Sequence, residues 1–570
     1  MPTSPDSPAD AAPAVRGALP GGVRLLGRTG GGRLSRGDWI VLCGFVLLTA
    51  WTALHHEPWA DEAQAWLLAR DSSLAGLLLD RLHYEGTPGL WYVLLWGLHR
   101  AGLPYPSMQT LALAANAAAV YLLLRFSPFA APIRWALPLS VALAYQLPIV
   151  ARSYSLIPPL VFLLCIAIER QRPIAVGLLA GLLANLSLIS LCMALGFFLL
   201  VLLPGDDGRP RPAVKARVLG GSIFAVLLLA AVYTAIPGPD VNVGRAQALA
   251  AKPRLRHLLA VLTHEPVEDR AALSTSALPR DSTDTAASPA PGLAPFNAKR
   301  RPILPVGGAL TLAAVHFASL AFFPVSSINL LALLFYAALL VWLAQQRRLR
   351  ASLPLAAVLI GAKALPFNEH HACVIWIAIV AVLWLGWKQP SNERAARAGL
   401  ALASVLLLVL AEQLCWTGFA CWYDCNHPFS GSRSAARWLQ PRVGRESIVG
   451  FNYHSIAVQL YTAQRIYSNQ KTAYWPWSIA NDSDARIAAT LAQRPEVVVD
   501  GEGYNGNVSW RNQILQEKPA GVRNDADGVA AYLLAHGYEA THRFCGSQPS
   551  QLGFSEMTCQ VIYQPAGAQH

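Results

Sequence analysis

The stretch His55 to Trp66 reads HHEPWADEAQAW and follows an apolar run, Trp39 to Leu54. It gathers Glu57, Asp61 and Glu62, two histidines, and the tryptophans Trp59 and Trp66, with Trp51 just before it. Pro58 and Trp59 open a helical pattern, ADEAQAWLLARD, in which Trp59, Ala63, Trp66 and Arg70 fall near one face. Tryptophan belts mark membrane–water interfaces, so the pattern predicts a helix lying on the outer membrane surface. Asp61 and Glu62 occupy its first turn, where the helix dipole favours an ionised carboxylate by about 0.3–1 kcal/mol. Either they complement that dipole and no more, or they do chemistry. An ionised carboxylate at the rim of a lipid-facing cleft is what a general base for a hydroxyl requires.

Three further stretches carry ionisable groups beside apolar runs. LHYEGTPGLWYVLLW (Leu82 to Trp96) offers His83 and Glu85, which could bind a divalent ion, orient a substrate, or serve as surface hydrogen-bonders. VARSYSLIPP (Val150 to Pro159) sets Arg152 and Tyr154 at a helix mouth. That arginine either snorkels to headgroups or makes a bidentate phosphate contact. GAKALPFNEHH (Gly361 to His371) puts Lys363 inside an apolar run, with Glu369, His370 and His371 at its outer end. A lysine at bilayer depth is costly and is a functional candidate by default.

The elements that must position these groups follow from composition and patterning. Of 570 residues, 54% are hydrophobic and only 14% charged, which places the chain among polytopic helical membrane proteins. Apolar runs near 38–54, 88–103, 108–124, 133–149, 156–168, 174–189, 190–204, 218–236, 303–323, 328–345, 353–366, 371–387 and 398–416 give thirteen candidates. Several are shorter than the ~20 residues of a full span. Reconciling strict alternation with the basic loops predicts about 11–13 transmembrane helices, an odd number, which sends the C-terminus outside. Residues 1–37 are Pro/Ala/Gly-rich with scattered arginines, the composition of a disordered cytoplasmic tail. The first run reads as an anchor, since no small-residue cleavage site follows it. Residues 38–416 then form the transmembrane domain. It includes a first outer loop (55–87) with interfacial helices and a long, partly disordered loop (237–302) with a short amphipathic segment around Leu255–Leu262. Residues 417–570 alternate β-like runs (Ser447–Phe451, Glu496–Asp500, Gln560–Tyr563) with helical patterns (Ser432–Leu439, Asp482–Gln493, Gly528–His536), which predicts a small extracytoplasmic α/β domain.

The formal charge of +12 is explained by topology and anionic lipid headgroups. There is no Gly-rich phosphate loop and no zinc-finger spacing, so nothing points to a nucleic-acid partner. Of nine cysteines, Cys421, Cys425, Cys545 and Cys559 lie in the polar C-terminal part and could form two disulfides in an oxidising compartment. The pair Cys545 with Cys559 is preferred because it closes a short loop.

The acidic helix after the first span resembles the first extracytoplasmic loop of the GT-C glycosyltransferase superfamily, most nearly the protein O-mannosyltransferases and the lipid A aminoarabinose transferases. Those enzymes carry a W-x-D-E motif, met here as WADEAQAW, then an aromatic-E-K-P-P-L-x-Y-W stretch, met here as YEGTPGLWY. Arg152-Ser-Tyr154-Ser-Leu156 is similar to the R-x-Y-x-L signature of many bacterial members, and LLANLSLISLCMALGF (Leu182 to Phe197) sits where the family carries a mid-protein hairpin. The likeness covers roughly residues 38–416. The family's E-K-P-P lysine is Gly86 here, so its phosphate contact must be absent or replaced by Lys363 or Arg152.

The resemblance implies a sugar donor on a polyprenyl phosphate, transferred with inversion to a hydroxyl on an extracytoplasmic acceptor: lipid A or its core, a cell-wall glycan, a glycolipid or a protein. Asp61 would be the base, and Glu62 would orient it or position the acceptor. Arg152, Lys363 and Tyr154 would meet the donor phosphate. His83, Glu85, Glu369, His370 and His371 would contact substrate or a divalent metal ion, the one cofactor the family leaves open. It also implies the inner membrane of a cell envelope, with the N-terminus cytoplasmic and the site and C-terminal domain periplasmic. A transporter or flippase for a lipid-linked sugar would instead place its ionisable groups at mid-membrane on broken helices. A non-catalytic scaffold would tolerate Asp61→Asn.

Overall fold

Apolar runs become helices whose ends fall where punctuation residues place them. In the computed structural model, residues 33–203, 212–238, 320–365, 369–388, 392–478, 484–504, 528–550 and 553–567 are described, with isolated positions 314, 317, 318 and 390. The expectations for most of the N-terminal tail, most of the 237–302 loop with its Leu255–Leu262 segment, and most of the 303–323 run therefore lie outside the described residues. The chain is mostly helical, with a small C-terminal sheet.

The helices that frame the site are α1 (Arg36–His55), α2 (Ala60–Asp71), α3 (Leu90–Arg100), α4 (Pro106–Phe126), α5 (Ile157–Glu169), α6 (Pro173–Ala184), α7 (Leu188–Leu202), α8 (Val214–Ala235), α9 (Asn329–Gln345), α10 (Leu353–Ala364), α11 (Ala372–Gly386) and α12 (Glu393–Asn426). Four of them, α1, α4, α8 and α12, are long and apolar enough to cross a membrane. Helices α6, α7, α9 and α11, and α5 with the turn before it, are apolar but shorter. Prolines open α4, α5, α6 and α10 at their first positions, where no intrahelical hydrogen bond is lost.

Helix α11 is apolar all round, and every one of its 15 residues is buried. Such a helix belongs at the centre, ringed by others. Large exposed apolar side chains instead concentrate on peripheral helices: Ile40, Leu47 and Leu54 on α1, Val226 and Leu229 on α8, Leu330 on α9, Leu408 on α12. Helices α6 and α8 cross closely at Gly177 and Gly220; a Cβ on Gly177 would stand 1.9 Å from the Gly220 carbonyl oxygen, so only glycine fits.

Three expectations are corrected. The 133–149 run is not one helix: it breaks into an α turn (Ala131–Ala136), a 3-10 turn (Leu137–Leu139) and a π turn (Ala142–Gln146), with Pro138 in the middle. The last long helix does not stop at 416 but continues to Asn426, and Cys421 and Cys425 lie on it as free cysteines. One turn apart on the same helix, they present thiols along its axis and are not joined. The helix ADEAQAWLLARD has the expected bounds but is no surface helix, for nine of its residues are buried.

Beyond α12 come α13 (Ser432–Leu439), β1 (Ile448–Phe451), a 3-10 helix (Tyr453–Tyr461), α14 (Asp484–Leu491), β2 (Val497–Tyr504), α15 (Gly528–Ala535), β3 (Tyr538–Ser550) and β4 (Gly553–Pro565). The sheet order is β1-β2-β4-β3, with β1 and β2 parallel and the remaining pairs antiparallel. Cys545 and Cys559 face each other in the β3–β4 register and form the expected disulfide.

Candidate functional site

The three acids of the opening stretch have three separate tasks. Glu57 is buried and takes hydrogen bonds from the backbone N–H groups of Ser430 (3.3 Å) and Gly431 (3.2 Å), the Arg433 N–H and the Ser432 hydroxyl (3.3 Å). Those donors surround the start of α13, whose unpaired amides and positive dipole end favour a carboxylate. Glu57 thus fastens the C-terminal domain to the first loop. Gly431 makes the geometry available: its φ is +69°, and a Cβ there would stand 2.3 Å from the Phe544 carbonyl oxygen.

Glu62 has no exposed surface. Its Oε2 accepts from His56 Nε2 (3.1 Å) and the Trp59 N–H (3.0 Å), and its Oε1 accepts from the Ala151 N–H (3.0 Å). The other ring nitrogen of His56, Nδ1, lies 2.7 Å from Asp424 Oδ2, which also accepts from the Tyr145 hydroxyl at 3.1 Å. Asp424–His56–Glu62 is therefore a buried ladder tying α12, the end of α1, α2 and the Ala151 loop. Burial opposes charge on the imidazole, but Asp424 and Glu62 outweigh it and push the pKa of His56 up to about 10. Glu62, expected to orient Asp61 or position the acceptor, accepts from His56, Trp59 and Ala151 and so pins the loop that carries Arg152.

Asp61 alone opens toward solvent. Its Oδ2 is 2.6 Å from the Arg152 guanidinium, and its Oδ1 accepts from the Tyr453 hydroxyl at 2.7 Å. The Asp61 and Arg152 side chains are 22% and 21% exposed, so the pair is enclosed yet reachable. Desolvation works against the charge of Arg152, but the Asp61 carboxylate prevails and holds its pKa above the ordinary guanidinium value. The guanidinium also lies over the rings of Trp59 (5.4 Å) and Tyr154 (5.2 Å), as a cation favours. His370 packs against Trp59 at 4.6 Å and His371 against Tyr154 at 5.4 Å. Among the described residues, the buried Trp59 Nε1 has no hydrogen-bond partner.

Residues from three separated stretches thus converge: Asp61, Arg152 with Tyr154, and His370 with His371. Glu369 begins the short 3-10 turn that carries the two histidines. Lys363 is half-buried in the last turn of α10. His83 and Glu85 turn elsewhere. His83 Nδ1 bonds the Ile236 carbonyl oxygen at 2.7 Å, and Glu85 accepts from Gln64 Nε2 at 2.7 Å. Gln64 in turn clasps the Trp475 backbone through its N–H (2.8 Å) and carbonyl (2.9 Å). Among the described residues no three His, Cys, Asp or Glu side chains form a metal-ligating group.

Tyr453 was not legible in advance. It stands where Asn452, with a φ of +60°, turns β1 into the 3-10 helix, 392 residues from its partner Asp61. The only sequence signal is an asparagine ending a β-like run. Comparison with family models, with curated proteins and with solved structures finds no match.

Proposed function

We propose that the chain is a polytopic membrane glycosyltransferase of the GT-C type. It would move a sugar from a polyprenyl phosphate to a hydroxyl of an extracytoplasmic glycan, lipid or protein acceptor. The belt of exposed apolar side chains on α1, α8, α9 and α12 supports a lipid-embedded body. Basic residues at the other end of the bundle support a cytoplasmic N-terminus and an outward-facing site.

One observation carries the catalytic reading: a reachable Asp61–Arg152 pair ringed by Trp59, Tyr154, His370 and His371. In the pair, each charge holds the other in its ionised form. An arriving donor phosphate competes for Arg152, with Tyr154 beside it and Lys363 supplying a second cation. Asp61, released from Arg152, then accepts the proton of the acceptor hydroxyl. The acceptor oxygen forms its bond to the anomeric carbon as the bond to phosphate breaks. The electron pair leaves on the polyprenyl phosphate, and the sugar inverts. Tyr453 would steer the Asp61 carboxylate from the domain that roofs the cleft, so that domain takes part in choosing the acceptor. A transporter reading gains no support from a site at helix ends.

The test uses full-length protein in nanodiscs with a panel of polyprenyl-phosphate sugars and a crude membrane acceptor, following release of polyprenyl phosphate. Asp61→Asn should lower turnover about 10²–10⁴-fold while donor binding and unfolding temperature stay near wild type. Turnover undiminished in Asp61→Asn, or no turnover with any donor, would sink the proposal.

A further inference from the structure

Helices α5 and α11 each begin at the Asp61–Arg152 site and end on a second, different feature. With 13 and 15 residues they span about 20–22 Å at 1.5 Å per residue. At their far ends lies a cavity of about 200 Å³, lined by Arg172, Arg217, Arg348, Arg350 and Lys388, with Glu169 the one carboxylate. Glu169 is engaged, 3.6 Å from Lys388 and accepting from Trp384 Nε1 at 3.4 Å. Arg348 gives one N–H to the Leu385 carbonyl at 3.2 Å. Arg217 Nε is buried yet has no hydrogen-bond partner among the described residues.

The C-termini of α5, α7 and α11 meet at this end, and their dipoles attract part of the positive charge. They do not explain a buried donor without an acceptor, which costs about 1–3 kcal/mol unless something accepts from it. Nor do they explain the apolar part of the lining. There Leu202 and Leu203, 58% and 48% exposed, close the end of an apolar helix and line the same cavity. Cations and half-exposed leucines lining one cavity suit an amphiphile with a negative head.

We infer that this cavity binds the phosphate of an anionic lipid headgroup, with the acyl chains lying along the end of α7. Its volume suits a headgroup and excludes a whole lipid. Arginine forks match phosphate geometry, and Arg217 Nε supplies the donor the phosphate completes. Binding here does not depend on the reaction proposed at the other end of α5 and α11.

The experiment takes the full-length chain in neutral maltoside detergent and measures lipid retention by native mass spectrometry. The probes are dioleoyl-phosphatidylglycerol, dioleoyl-phosphatidylcholine and sodium phosphate. Phosphatidylglycerol should bind about one to one and at least tenfold more tightly than phosphatidylcholine. Arg217→Gln should weaken that binding at least tenfold. Lys215→Gln, which removes the same charge at the same end but outside the cavity, should change it less than twofold. If Arg217→Gln has a shifted unfolding midpoint without lipid, Arg350→Gln replaces it. Equal binding of the two lipids, or equal losses in the Lys215 and Arg217 variants, overturns the inference. Displacement of the lipid by millimolar sodium phosphate also overturns it and assigns the cavity to a soluble anion.

Discussion

The two ends of α5 and α11 handle charge in opposite ways. At the Asp61 end Glu57, Asp61, Glu62 and Asp424 each accept from a protein donor, and a domain from the C-terminal part of the chain roofs the group. Asp424, His56 and Glu62 lie wholly out of water, and only Asp61 and Arg152 remain reachable. At the other end, among the described residues, cations outnumber acids in the cavity lining, and the pair Lys388–Glu169 is about a third exposed at 3.6 Å. The difference teaches what each end must meet. On the two proposals above, a site that moves a proton needs its charges fixed before the reactant arrives, whereas a site that receives an anion needs a buried donor such as Arg217 Nε, which has no acceptor among the described residues.

The contrast is sharpest in stability. His56→Ala leaves two buried carboxylates without their shared partner, and chemical unfolding in detergent should show a loss of about 3–5 kcal/mol. Replacing Cys545 and Cys559 by serine opens a crosslink spanning 14 residues and should cost about 3 kcal/mol, localised by hydrogen exchange to β3 and β4. A loss spread through the helices instead would show that the two parts do not unfold separately. Glu57→Gln should cost about 1–3 kcal/mol and raise exchange at the start of α13, since a weaker acceptor then faces the same amides. Glu169→Gln at the other end should cost less than about 1 kcal/mol, as half-exposed pairs do. A larger cost there would break the comparison.

The pH dependence carries a defined sign. His56 titrates near 10 when folded, above its ordinary value of 6.5. Its contribution is complete below pH 6.5 and is lost as pH rises through about 10, because the unfolded chain releases that proton first. Thermal midpoints should therefore fall across this window in wild type and stay flatter in His56→Gln.

Much of this was legible from local pattern. The bounds of α2 and α13, the strands β1 and β2, and the Cys545–Cys559 pairing all follow from periodicity, capping residues and spacing. The site residues Asp61, Arg152, Tyr154, His370 and His371 declared themselves as ionisable or aromatic groups beside apolar runs. Pairings between distant stretches did not. Nothing near His56 announces Asp424, 368 residues away, and nothing near Glu57 announces the amides of α13. Strand β3 went unseen because its sequence, YEATHRFCGSQPS, scarcely alternates and ends in turn formers. The surface reading of α2 failed for the same reason: its interfacial tryptophans meet protein, a roof encoded at the other end of the gene.

The clasp between Glu57 and the start of α13 joins residues 373 apart. At about 5–20 residues per second, roughly 20–75 s of synthesis separate the two partners. Throughout that interval the first loop holds Glu57, Asp61 and Glu62 with no ribosome-borne partner yet made for Glu57, and His56 waits for Asp424. The loop must remain hydrated on the side it first reaches, because uncompensated carboxylates resist entering lipid. The clasp at the start of α13 therefore closes only after every helix between Glu57 and Ser430 has been made.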